Sequence, residues 1–222
     1  MAWFTRFAID DLKQVVVNTA YVLPSVDPLI MCCLNSPLAW WYMWRTAQHG
    51  KDEVLRLIRD YTETFPIPKV DAKTTSEISK IAHALAQHGV SMNEFEETVV
   101  SDIRKTIDCQ IDGAAAFDLV ARPPEKFIAR LAKLCDQKRF DASEEKVLTV
   151  LRQECRQQRQ QLLTRQLELE RQLADVVESA YGLTQEEKAL LRSTRPPRDP
   201  LDVLEHKIDG NGDEDEDLEA DD

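Results

Sequence analysis

Glycine is scarce in this chain, six among 222 residues, and the one Gly-x-Gly, Gly210-Asn211-Gly212, lies in an acidic C-terminal run with no strand before it. A phosphate-cradling loop needs glycines between a strand and a helix N-terminus, so no nucleotide-binding loop of that type is indicated. The five cysteines, Cys32, Cys33, Cys109, Cys135 and Cys155, form no Cys-x-x-Cys pair, and the four histidines are scattered. No nucleophile stands in a Gly-x-Ser-x-Gly turn. Long apolar runs are missing too: residues 29 to 44 are the most apolar stretch, shorter than the ~20 residues that span a bilayer, and Asn35, Ser36 and Pro37 cut it in the middle. The start, "MAWFTRFAIDDLK", has neither the charged opening nor the unbroken apolar core of a signal peptide. Neighbouring Cys32 and Cys33 sit among apolar residues and read as buried free thiols. The expected setting is the reducing cytoplasm, with no membrane partner.

Two features that imitate chemistry have plainer readings. Glu144-Glu145-Lys146 and Glu186-Glu187-Lys188 resemble half of a metal-dependent nuclease site, but each falls in the first turn of an expected helix, where the dipole favours acids. Asp209, Asn211 and Asp213 are spaced like a calcium loop, yet Glu214 replaces the turn glycine and Ala220 the bidentate glutamate. The expectation is therefore no catalytic residue, no metal and no cofactor in this chain, and an interaction or recognition module rather than a self-sufficient enzyme.

The net charge of −12 comes mostly from one place. The last fourteen residues, "DGNGDEDEDLEADD", carry nine acidic side chains and no basic one; without them 28 basic residues face 31 acidic ones. The body is nearly neutral, so an acidic pI does not argue against nucleic acid as its partner.

Along the chain, "QVVVNTAYVL", residues 14 to 23, reads as a strand ended by Pro24. Asp27-Pro28 has the form of an N-cap followed by proline at the first helical position, and Ser36-Pro37 repeats it after a break, starting a second helix to about Ala47. "VLRLI", residues 54 to 58, fits a strand or a helical turn, and "FPIP", residues 65 to 68, must be extended. Capping-box spacing at Thr74/Glu77, Ser91/Glu94 and Thr184/Glu187 predicts a helix start at each. Asp141 caps the longest expected helix, 143 to 180, in which Leu148, Leu151, Cys155, Leu162, Leu169, Leu173, Val176 and Ala180 recur every three or four residues or a multiple of that. Gln158, Arg165 and Gln172 interrupt its second seam position, which fits one arm of a coiled coil or helical hairpin, with an antiparallel partner within residues 76 to 135. The expected fold is mainly α with a small α+β N-terminal part (1–70), a helical region (71–180), a short helix with a Pro/Arg-rich segment (181–208) and a disordered acidic tail (209–222).

Three patterns, in this order, resemble the C-terminal part of bacterial adenine-specific DNA methyltransferases of the type IIG and TaqI-like kind, found in restriction-modification and phage defence. The first is "NTAYVLPSVDPLIMCCLNSPLAWWYMWR", which matches a strand, a helix and an "LLNS.L..W"-like signature. Next comes "FPIP" followed by the helix "TTSEISKIAHALAQ". The last is "LERQLADVVESAYGLTQEEKALLRSTRPPRDPL", similar to the family's closing long helix, Tyr-Gly-Leu-Thr turn and short acidic helix. The Asn/Asp-Pro-Pro-Tyr methyl-transfer motif and the S-adenosylmethionine loop are missing, and residues 90 to 140 match no part of the family.

The resemblance implies a C-terminal piece of a longer enzyme: its DNA target-recognition and helical portion, inactive alone, with S-adenosylmethionine bound elsewhere in the complete enzyme. Its implied partners are double-stranded DNA and a methyltransferase catalytic domain or subunit. Candidate DNA contacts are Arg45, Lys51, Arg56, Arg59 and Lys13, with Arg6 near the last. The tryptophans of α-helical "LAWWYMWR" read mainly as scaffold, Trp40 with Trp44 on one face and Trp41 with Arg45 on another. "RSTRPPRDPL", residues 192 to 201, reads equally as a docking segment for the catalytic domain or a semi-rigid linker. The competing expectation is a non-catalytic coiled-coil adaptor that does not bind DNA.

Overall fold

The computed structural model describes residues 27–51, 54–56, 59–107, 111, 113–135 and 139–209. The expected strand at 14–23, Arg6, Lys13 and nearly all of the acidic tail lie outside the described residues. Nine helices and one small sheet make up the described residues: α1 Pro28–Asn35, α2 Pro37–Thr46, β1 Gln48–His49, β2 Leu55–Arg56, α3 Arg59–Thr62, α4 Ala72–Thr106, α5 Gly113–Leu119, α6 Pro124–Leu134, α7 Ala142–Ala180, α8 Gln185–Ser193 and α9 Pro200–Asp209. The mainly helical fold with a small β component is the one expected, and "VLRLI" supplies the second strand of an antiparallel pair, Gln48 opposite Arg56 and His49 opposite Leu55.

Most helix ends follow local chemistry. The Asp27 carboxylate accepts from the Leu29 amide at 2.9 Å to start α1. Ser36 ends α1 and begins α2. Asp141 accepts from the amides of Ser143 and Glu144 at 2.7 and 2.8 Å, while the Glu144 carboxylate accepts from the Asp141 amide at 2.8 Å. The two acidic triplets thus belong to helix starts: Glu144 and Glu145 lie in the first turn of α7, Glu186 and Glu187 in that of α8. Thr184 and Glu187 form the expected capping box.

The other two capping boxes do not form, which corrects the expected helix starts at Thr74 and Ser91. α4 begins after Asp71, whose carboxylate takes the Thr74 amide at 2.8 Å, so that orphan donor is satisfied three residues earlier. Ser91 lies inside a continuous helix, its hydroxyl donating back to the Gln87 carbonyl at 3.4 Å.

The chain divides into two compact units. The first holds the described residues up to Leu85 together with Leu167–Val203. Its core is Cys32, Cys33, Leu34, Trp40, Met43, Leu55, Phe65, Ile78, Leu173 and Val177. Burial of aromatic and aliphatic area along the face of α2 that carries Ala39, Trp40 and Met43 helps to hold this unit together. A chain of rings extends it: Tyr42 meets Phe65 edge-on at 5.2 Å, and Phe65 lies 6.0 Å from Tyr181. Tyr181 donates its hydroxyl proton to the Pro66 carbonyl, tying the extended "FPIP" to the end of α7. α7 closes with a left-handed Gly182, φ 67°, whose amide and that of Leu183 satisfy the carbonyls of Ser179 and Glu178.

The second unit holds Ala86–Gln166 and the chain from Leu204 on. Phe95, Val99, Ile103, Phe117, Phe127, Leu131, Leu148, Cys155 and Leu163 form its core. Within this unit α4 and α7 run antiparallel, since His88 faces Leu162 and Arg165 whereas Asp102 faces Cys155. The partner expected for α7 is therefore α4. The inward polar positions are not Gln158 and Arg165, which are exposed, but Arg152 and Arg159. Arg152 donates to the Arg122 carbonyl at 2.6 Å, and Arg159 lies over the Phe117 ring at 4.7 Å and 3.7 Å from the Asp118 carboxylate. With these partners α7 packs as a core helix of this unit.

Candidate functional site

Helix α2 organises the basic residues of the first unit. Trp40 is fully buried and stacks at a tilt on Trp44, ring centres 5.6 Å apart. Trp44 in turn meets His49 edge-on at 4.6 Å, and His49 Nε2 lies 2.7 Å from the Trp44 carbonyl. These contacts fix the angle at which the β1–β2 hairpin leaves α2. The scaffold role expected for the tryptophans holds for Trp40, whose indole N–H donates 3.1 Å to the Pro197 carbonyl.

The candidate contacts fall into distinct surroundings. Lys51 lies in the hairpin loop, exposed, beside a Gly50 amide bonded 2.7 Å to the Val54 carbonyl. Arg56 is exposed on β2 while its neighbour Leu55 is buried, and its guanidinium reaches Gln48 Oε1 at 3.4 Å across the ladder. Alternation along the strand thus sends Arg56 outward because Leu55 goes in. Arg59 opens α3, directly after this ribbon.

Arg45 differs from the others. Its guanidinium stacks 3.8 Å from the centre of the Trp41 ring and donates to the carbonyls of Trp41, 3.0 Å, and Thr194, 2.8 Å. It is exposed, but part of its hydrogen-bonding capacity holds the fold. Trp41 adds a second link, its indole N–H donating 2.9 Å to the Thr194 hydroxyl. The segment "RSTRPPRDPL" is therefore anchored on α2.

Three thiols show what burial does here. Desolvation, with help from Cys33, pushes the Cys32 thiol up to about 12, and Cys33 and Cys155 rise to about 11, also through burial. All three are free, buried and uncharged, hence poor nucleophiles. Cys135, by contrast, is disulfide-bonded.

Among the described residues no three His, Cys, Asp or Glu side chains are grouped to hold a metal ion, and no helix is long and apolar enough to cross a membrane. In the second unit an open depression is lined by Glu97, Val100, Ser101, Arg104, Lys105 and Ile111, with Lys105 paired to Asp102 at 2.8 Å. No protein-family model matches the chain, and neither a curated protein nor a solved structure matches it.

Proposed function

We propose that the chain is the DNA-recognition and helical portion of a site-specific adenine DNA methyltransferase, acting on duplex DNA together with a separate catalytic domain that binds S-adenosylmethionine. One observation carries the reading. The three segments that resemble the family lie far apart in sequence, yet their described parts converge largely in the first unit. Tyr181 of the Tyr-Gly-Leu-Thr turn bonds to Pro66 of "FPIP", and Trp40 and Trp41 of the "LNSPLAWW" helix bond to Pro197 and Thr194 of the closing segment. Much of the stretch without resemblance, residues 90 to 140, helps to build the second unit.

In this reading the hairpin meets DNA. Lys51 and Arg56 supply positive charge that neutralises phosphates and releases counterions, and a two-stranded ribbon is narrow enough for a major groove. Arg45 chiefly holds the scaffold. The test is duplex binding by the Lys51→Gln/Arg56→Gln double variant. Losing two phosphate contacts flattens the salt dependence of log affinity by about 1.8; an unchanged slope removes the hairpin from the interface.

The adaptor reading draws on a different observation: Val147 and Val150, one turn apart near the start of α7, are about half exposed, 49% and 53%. A protein partner would cover them, and this alternative predicts no binding to duplex DNA.

A further inference from the structure

We propose that the connector between α8 and α9 is a second phosphate-contact surface for duplex DNA, in which Arg192 and Arg195 act with Arg45 of α2; this rests on the duplex-DNA reading above. Arg192, in the last turn of α8, is exposed and has no ion-pair partner among the described residues. Its charge is therefore open to an anion from outside. Arg195 is held in place by Asp202, 2.6 Å away, with Asp199 at 4.0 Å, and its side chain stays 35% exposed. Arg45 presents its remaining N–H donors on an exposed guanidinium laid flat on Trp41.

Rigidity separates this segment from an ordinary linker. Trp40, Trp41 and Arg45 fasten it at Pro197 and Thr194, and Asp199, 2% exposed, accepts from the Leu201 amide at 3.0 Å to start α9. Between these fixed points Arg198 adopts φ 59°, a left-handed conformation that side chains other than glycine's seldom take. Surrounding structure must hold such a residue in place, and backbone strain of this kind gathers at functional sites. Arginine side chains already held in place, as those of Arg195 and Arg45 are, lose little entropy on meeting a rigid phosphate backbone. The surface also adjoins the hairpin: Arg45, which touches Thr194, lies three residues before β1. Phosphate contacts here would set register while the hairpin approaches the bases.

The test uses the full chain and a fluorescent duplex of about 20 base pairs, with anisotropy read across salt concentrations that straddle the physiological range. Arg192→Gln is expected to reduce the log-log salt slope by about one and the affinity roughly five-fold near physiological salt, as for one lost phosphate contact. Arg192→Lys keeps the charge and is expected to stay near wild type. Lys80→Gln, an equal charge change at an exposed site on α4, is expected to leave the slope unchanged. If Arg192→Gln keeps the wild-type slope while the hairpin variant loses it, the connector proposal is overturned and the DNA reading stands. A wild-type chain that binds no duplex overturns both.

Discussion

Ser36→Ala should be the most damaging single-atom change in the first unit. Ser36 is fully buried, with φ −74° and ψ 155°, and one hydroxyl serves two helices. It donates to the Cys33 carbonyl at 2.6 Å and accepts from the Ala39 amide at 3.2 Å. Removing the oxygen leaves Cys33 with the Ser36 amide at 3.2 Å, so that carbonyl stays satisfied. The Ala39 amide, at a fully buried residue, loses the cap and has no water to replace it. Loss of a helix cap costs ~1 kcal/mol, and an orphaned buried donor raises that to about 2–3 kcal/mol. Asp27→Ala removes a similar cap at an exposed site, where water substitutes, and should cost about 0.5–1 kcal/mol. Three of the four tryptophans lie on α2, so urea unfolding followed by tryptophan fluorescence reads this region directly. With a slope of about 2 kcal/mol per molar urea, Ser36→Ala should lower the midpoint by ~1 M or more. Equal effects of the two substitutions would refute the argument that burial of the break makes it structural.

Tyr181→Phe keeps the ring against Phe65 and removes the bond to Pro66, so it should cost about 1 kcal/mol in the same urea experiment. Arg152→Met, which removes a buried donor to the Arg122 carbonyl, should destabilise by about 1–2 kcal/mol, whereas Arg156→Met at an exposed neighbour should stay within about 0.5 kcal/mol of wild type. His88 is nearly buried, and burial followed by the Arg165 charge lowers its pKa from the ordinary histidine range. A lowered histidine binds its proton less readily when folded. Its contribution is therefore fully present above the ordinary value and is lost as pH falls towards the folded one. Thermal unfolding from pH 7 to pH 5 should show destabilisation on the acid side that His88→Gln reduces; an identical pH profile would remove His88 as its source.

Features fixed by neighbouring residues were legible in the sequence, and those fixed by distant partners were not. Asp27-Pro28, Ser36-Pro37, Asp141 and Thr184/Glu187 each satisfy backbone amides within three residues, and each starts a helix as expected. Thr74 and Ser91 have the same spacing but no free amides to satisfy, because Asp71 had already capped α4. Arginine pointing inward was invisible: Arg152 and Arg159 depend on Arg122, Phe117 and Asp118, 30 to 42 residues away. Gln158 and Arg165 are exposed, and the inward positions near them belong to these two arginines and their apolar neighbours. In the candidate site, the outward direction of Arg56 follows from the strand state of Leu55–Arg56, which the sequence left open between a strand and a helical turn. The structural duty of Arg45 was not readable, since its partner Thr194 lies 149 residues on. The same distance hid the anchoring of "RSTRPPRDPL", which composition alone made a linker or a docking segment.

The central claim is contact with duplex DNA, and a salt titration of wild-type binding tests it most directly. The account predicts measurable affinity at low salt and a linear fall of log affinity with log salt, with a slope of about −0.9 for each phosphate contact. Absence of duplex binding at about 50 mM salt, or an affinity indifferent to salt, would contradict it.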